Sequence, residues 1–487
     1  MNLTRLNLNI LPHSLASHDG VEYCLAQTAA GIQLAVYSAS RPSALHAFEG
    51  KTSENLLLGP LSPHNAAALR AQLPWLQPRP LGLQTSAGMG DRMGLATPGH
   101  VRAARFAQGK IAPIFAQQSI REMTRTGRSP QQVMDDATWG IFAEGWQDGV
   151  GADADHLKTF EDIDACLSVG YSFFTIDPGA HVENRAETAS PSELGELAEK
   201  LPADMQPQAT GLAAKTFELT RPLSRERLTI HFDEITLLRA AVKYGQAVAH
   251  VASMYRYLVQ AAGQRPIELE VSVDETEQPT SHAEHLYIAS ELRRLGVQWV
   301  SLAPRYIGRF EKGVDYIGDV DAFEADLAGH AAIAKEFGPY KLSLHSGSDK
   351  FSIYPAAMRQ TGGLVHLKTA GTSYLEALRT IAVLDPPLFK EIYIFARQRF
   401  ETDKVSYHIS AELDRAPLPE AMADEDFPNL LNQFDAREIL HVTFGSVLTE
   451  KVSQDEKSLW RFHDRIFGLL RANPEAYAAT LEKHFIR

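Results

Sequence analysis

The chain has 487 residues, of which 44% are hydrophobic and 22% charged, and a formal net charge of -13. It is too long for one minimal core, so one large domain with attachments, or two to three domains, is expected. The ordinary composition reads as a soluble globular protein, and the acidic balance argues against nucleic acid or an anionic membrane as the main partner. A small anion held by a local Lys/Arg pocket stays open.

The opening MNLTRLNLNILPHS has no long apolar core, so no signal peptide is expected. No run approaches the roughly eighteen apolar residues of a membrane span. Cys24 and Cys166 form neither a CxxC pair nor a disulfide framework, which fits a reducing cytoplasm.

Residues 1–77 contain the strand-like IQLAVYSAS and read as a small α/β cap. A strand is expected at Leu81–Gln84, followed by the glycine-rich SAGMGDRMG (Ser86–Gly94). Met93 occupies the place of the third glycine of a GxGxxG fingerprint, so this segment reads as a tight βα turn able to present backbone N–H groups to a carboxylate. Thr97 and Pro98 open a helix to Ala107, and Ser129 and Pro130 open another to Gln147. Further strands are expected at Ile111–Gln117, near Gly151–Asp155, and at Tyr171–Asp177, with a helix at Glu161–Ser168. Residues 185–262 form an insertion containing a long helix, Asp233–Ala262. Strands then recur at Ile267–Asp274, Val297–Ala303, Lys341–His345 and Leu364–Lys368, separated by helices at Ser281–Leu295, Asp321–Phe337 and Ser352–Gln360 and followed by one at Ser373–Leu384. Eight alternating units predict a (β/α)8, TIM-like barrel over 78–385, with a helical C-terminal extension over 386–487.

Barrel enzymes carry their chemistry at the C-terminal strand ends. Period-two alternation places Leu342 and Leu344 on one face and Ser343 and His345 on the other. It likewise separates Val365 and Leu367 from His366 and Lys368, and Leu269, Val271 and Val273 from Glu268, Glu270, Ser272 and Asp274. The apolar faces should meet the helices, so the polar sets point inward, where a carboxylate needs a partner or a metal. His345 and His366 are the first metal-ligand candidates. His156 in GADADHLK is the third, with His181 in TIDPGAH as the alternative. Three imidazoles with an open position suit zinc first, and nickel, manganese or cobalt otherwise.

Glu270 reads either as a general acid or base or as the partner of Lys368 in an internal salt bridge. Asp155 is a candidate for the opposing acid/base, and Asp177 for a partner of a ligating imidazole. Lys158, Arg305, Lys350 and Arg92 are candidates to neutralise an anionic substrate group. His282 and His285 stand at i and i+3 on a helix and are expected at the surface.

Several strings resemble the tagaturonate epimerase family: GDRMGLATPGHVRA, IFAQQSIRE, DDATWG, GADADHLK, TIDPGAH, EVSVDETEQPT, SLHSGSDKFSIYP, HLKTAGTSYLEALR and SYHISAEL. They run in order over about residues 80–450, while the first 75 look less typical. Members interconvert D-tagaturonate and D-fructuronate, which differ at C4, and depend on a divalent metal. The resemblance implies a metal on His156, His345 and His366, Asp155 and Glu270 as the acid/base pair, and substrate contacts at Ser119 and around Lys158. The expected route is retro-aldol cleavage and re-addition, because C4 lies one carbon too far from the C2 carbonyl for simple proton exchange. Transient oxidation at C4 would need a nicotinamide, and no dinucleotide motif is present. A metal-dependent aldolase or isomerase of a related sugar acid, and a sugar-acid sensor, are the competing readings. A small-molecule sugar acid is the expected partner, with no nucleic acid or membrane; a homo-oligomer is compatible with the sequence.

Overall fold

Eight short runs that are apolar on their outer face close into a parallel barrel. The computed structural model describes residues 2–452 and 459–487. In chain order the strands are β1 (Ser86–Gly88), β2 (Ala112–Ser119), β3 (Gly151–Leu157), β4 (Phe173–Ile176), β5 (Glu268–Val273), β6 (Ser301–Pro304), β7 (Lys341–Leu344) and β8 (Val365–Lys368). Each pairs with the next, and β8 pairs with β1. Leu269, Val271, Val273, Leu342, Leu344 and Val365 pack outward into the main core, as alternation requires. The α/β barrel expected from the sequence is therefore present.

The first strand differs from expectation. It is Ser86–Gly88 inside the glycine-rich segment, not Leu81–Gln84. The amides of Leu81 and Gly82 instead donate to the Glu268 carboxylate, which holds that stretch in a turn. Glycine is what lets β1 fit: a Cβ on Gly88 would lie 2.9 Å from Gln117 Cγ, and one on Gly90 would lie 2.6 Å from Ala370 Cα. The third strand runs two residues beyond the expected Gly151–Asp155, to Leu157.

Three attachments surround the barrel. Before it lies a six-stranded antiparallel sheet followed by the helix Pro63–Gln72. Within 185–262 stand a short helix, the hairpin Thr216–Thr220/Arg227–His231, and the 29-residue helix Glu234–Ala262, capped by Asp233. After the barrel, helices from Pro386–Asp403 to Pro474–Phe485 build a second core around Leu378, Phe389, Ile439 and Leu481. Among the described residues, no helix is long and apolar enough to cross a membrane.

His285 is fully buried and His282 is only part-exposed, against the surface position expected for both. The helix His282–Arg294 turns that face toward the neighbouring helix Val320–Phe337 rather than to solvent.

The last helix is tied to the loop that follows β7. His484 Nε2 lies 2.5 Å from Asp349 Oδ1 and its Nδ1 lies 3.2 Å from Glu376 Oε1, while Arg437 pairs with both carboxylates. Burial opposes a charge on His484, but Asp349 and Glu376 prevail and raise its pKa. A raised pKa contributes stability in full below the unfolded value, near 6.5, and loses it as pH climbs through the folded value. His484→Ala should therefore cost about 1.5–3 kcal/mol at pH 6 and progressively less at higher pH, as urea midpoints across that range will read.

Candidate active site

The site is built on the C-terminal ends of β3, β5, β7 and β8. In a regular strand Asp155 and His156 would face opposite sides. Here the register between β3 and β4 shifts, so that Asp155 and His156 together oppose Thr175, and His156 takes a left-handed φ of 57°. This bulge brings both side chains to the barrel mouth. His156 Nδ1 lies 2.6 Å from Asp155 Oδ1, the carboxylate–imidazole pairing that orients a ligand nitrogen.

From β7, His345 enters between two carboxylates of β5 and its end: Nε2 lies 2.7 Å from Glu270 Oε1 and Nδ1 lies 2.9 Å from Asp274 Oδ1. Burial alone would lower its pKa. Asp274 and Glu270 overcome that and push it up to about 10, and the same contact holds Asp274 well below the usual carboxylate range. The residue after it, Ser346, also has a left-handed φ of 48°. Such strain on a non-glycine residue concentrates at functional sites.

Beneath lies a buried ionic cluster. Lys368 Nζ, from β8, is 2.6 Å from Asp155, 2.9 Å from Asp153 and 2.9 Å from Glu270, and donates to Thr175 Oγ1 at 2.6 Å. The internal salt bridge read from the sequence is thus present, and Glu270 also accepts from Ser301 Oγ at 2.5 Å. Burial works against all these charges. Lys368, with the histidines beside each carboxylate, nonetheless keeps Asp155 and Glu270 well below their ordinary range.

His156, Asp274 and His345 bring ligand atoms within 4.8 Å of one another, the spacing of a metal site, and the donor set suits a divalent first-row ion. The protein gathers negative charge here and offers a protonated imidazole to offset it, so a cation in that place fits. His366 is not in this set. It sits deeper in the barrel, with Nδ1 2.9 Å from Ser86 Oγ, its ring 5.1 Å from Phe173, and Nε2 3.9 Å from Asp153. Asp274 stands in the third place. It shares the inward parity of Glu270, which is the signal by which sequence reasoning could have chosen it.

A cavity of about 440 Å³ opens onto Asp274 and His345. Its walls carry Arg121, Arg305, Arg309 and Lys312, and the C-terminal extension closes it with Tyr407 and His408. Arg305 Nε is buried without a hydrogen-bond partner. Burial, with Arg121 beside it, lowers the pKa of Lys312, as expected of a desolvated cation. Arg121 and Lys312 were not among the sequence candidates; Arg121 stands two residues past the end of β2, and Lys312 lies in the long loop after β6, whose position only the fold defines.

The other candidates separate. Ser119 caps the helix Ile120–Thr126 and lines a side cavity with His156, Lys158 and Asp177. Lys158 Nζ reaches Asp177 Oδ2 at 3.1 Å. Lys350 lies apart, its amine bonded to the carbonyls of Glu311, Val314 and Ser348. Arg92 is buried against Glu122 at 2.6 Å and over the Phe444 ring. His181 stacks on His250. The glycine-rich loop does bring N–H groups to a carboxylate, but it is the chain's own: Asp91 accepts from Met93, Gly94 and Ala96.

A family model described as tagaturonate epimerase matches residues 11–487. The tagaturonate/fructuronate epimerase of Thermotoga maritima is 42% identical over 476 residues, spanning 97% of this chain and 95% of that protein. Two crystal structures of fructuronate-tagaturonate epimerase from Cohnella laeviribosi superpose closely. The one with one glycerol gives a TM-score of 0.90 at 37% identity, covering 99% of this chain and 96% of the other. The one with two glycerols gives 0.91 at 36%, covering 100% and 96%.

Proposed function

Because this chain belongs to the tagaturonate epimerase family and is an epimerase of the isomerase class, we propose that it interconverts D-tagaturonate and D-fructuronate at C4 by retro-aldol cleavage and re-addition, with a divalent metal at His156, Asp274 and His345. The observation that carries this reading is a cavity that opens onto Asp274 and His345 and carries Arg305 and Lys312 in its wall, sized for a six-carbon sugar acid.

The substrate carboxylate lies against Arg305 and Lys312. Asp155 accepts the proton of the C4 hydroxyl. The C3–C4 bond then breaks, its electron pair passing to C3 and the C2 carbonyl as an enediolate, and C4 becomes an aldehyde. The aldehyde turns about C4–C5, and C3 attacks its other face. Glu270 returns a proton to the new hydroxyl, drawn through Lys368, whose ammonium lies between the two carboxylates. The proton taken up by Asp155 restores Lys368, so the relay ends where it began. A divalent ion, when bound, would add Lewis-acid polarisation of the C2 carbonyl. The buried, unpaired Cys24 and Cys166 support a cytoplasmic location.

The test is incubation of EDTA-treated protein with fructuronate in deuterated buffer, with single metals added back. Tagaturonate without deuterium at C4, together with a trappable aldehyde, is expected. No interconversion under any metal, or obligatory exchange at C4, would defeat the proposal. Metal uptake carries its own pH signature. With His345 pushed up to about 10, the metal-free protein holds a proton there that the ion must displace. Against burial, Asp155 raises the pKa of His156 as well, so apparent affinity should rise by at least about tenfold per pH unit from near 6.5 towards 10, as calorimetric titration over that range will read.

A further inference from the structure

A second group of metal-ligating side chains lies outside the barrel, between the helices His282–Arg294 and Val320–Phe337. The geometry points to a second divalent-cation site there, formed by His282, Asp326 and His330, for a zinc-like first-row ion. Their ligand atoms lie within 4.8 Å of one another. His282 Nε2 is 3.2 Å from Asp326 Oδ1, and His330 Nε2 is 3.5 Å from Asp326 Oδ2. Bonds of about 2.0–2.1 Å in a tetrahedron put ligand atoms about 3.3 Å apart, close to the separation of each imidazole from the carboxylate oxygen nearest it.

Three further observations support it. His330 is fully buried and its Nε2 makes no hydrogen bond, its nearest polar neighbour being Asp326 Oδ2 at 3.5 Å. Its Nδ1 is 2.8 Å from Nδ1 of the buried His285, whose Nε2 is 2.9 Å from Tyr340 Oη. When His330 Nδ1 donates along that chain, its Nε2 carries a free lone pair facing a carboxylate, an arrangement that calls for a cation between them. An imidazole whose far nitrogen is bonded in this way is the usual orientation of a metal-binding histidine. Finally, residue 329 is glycine, and a Cβ there would lie 2.3 Å from His282 Nε2, so only glycine leaves His282 its place over the second helix. His282 Nε2 also lies 2.9 Å from the Asp326 carbonyl, a bond it would exchange for the metal. His282 and Asp326 are part-exposed, which provides an entry path and an open coordination position.

The site borders the catalytic cavity without sharing a residue with it. The ring of Tyr306 lies 5.6 Å from that of His330 and edge-on to it, and Tyr306 lines the cavity that opens onto Asp274 and His345. An ion here would clamp the two helices and steady the segment that carries Arg305.

The test uses elemental analysis of full-length protein loaded with Zn²⁺ and freed of excess by gel filtration. Wild type should retain about two ions per chain, and the His156→Gln/His345→Gln and His282→Gln/Asp326→Asn variants about one each. Zinc should also raise the melting temperature of the His156→Gln/His345→Gln variant, whereas metal-free His282→Gln/Asp326→Asn should melt near metal-free wild type. If His282→Gln/Asp326→Asn retains as much zinc as wild type, the second site is overturned. If His156→Gln/His345→Gln retains as much as wild type while His282→Gln/Asp326→Asn loses one ion, the second site stands and the catalytic metal falls.

Discussion

Lys368→Met should be among the most damaging single substitutions in the barrel. The ammonium is 3% exposed and contacts three carboxylates, of Asp153, Asp155 and Glu270. Methionine fills a similar volume but removes the counter-charge the three carboxylates share, leaving Asp155 and Glu270 only their histidine partners and Asp153 without an ammonium. Stranding a buried charge costs about 3–5 kcal/mol, against a total stability of about 5–15 kcal/mol. The pH dependence gives the effect a signature. In the wild type, Asp155 and Glu270 have depressed pKa values, so their contribution is present above the ordinary carboxylate pKa and lost as pH falls. In the variant, burial and mutual repulsion raise those values, so protonation relieves the strain and stability should increase as pH drops from 7 to 5. Urea denaturation at both pH values checks this. A loss under about 1 kcal/mol at pH 7, or a gap from wild type that widens at pH 5, would contradict the account.

Asp155→Asn should separate chemistry from folding. Asparagine keeps the shape and an acceptor for Lys368 and His156, and its amide can be accommodated by Gln117. Gln117 now donates to Asp155 at 2.8 Å and has a free Oε1 that a flip of its amide would present instead. Stability should therefore change little. The substitution removes the proton acceptor of the proposed route, and a positioned acid or base accounts for about 10²–10⁴ in rate. We expect kcat to fall by that factor with KM changed by less than about tenfold. A kcat near wild type would show that another group takes the C4 proton.

Much of this arrangement is legible in the residues. The outward set Leu342, Leu344 and Val365 against the inward set Ser343, His345, His366 and Lys368 follows from the pleat alone, because side chains alternate whatever the strand's neighbours are. The buried Glu270–Lys368 contact was readable in the same way, since an inward carboxylate needs a counter-charge. The glycine-rich segment misled because glycine signals a turn locally, whereas here it serves the close approach of Gln117 and Ala370.

By itself, then, the sequence determined the eight-stranded barrel, the polar character of its interior, the family, and the placement of His345 on the inner face. The tertiary structure decided which of those inward groups meet. His366 shares the parity of His345 but sits deeper, beside Ser86 and Phe173, so Asp274 completes the donor set. His156 reaches the mouth only through the bulge in β3, and the cavity wall joins Arg121 to Arg305 and Lys312, which lie far from it in the chain. The physical reason is range. Alternation is a property of two adjacent residues, but depth within a barrel depends on the stagger of neighbouring strands, and a cavity wall depends on loops packed from distant segments.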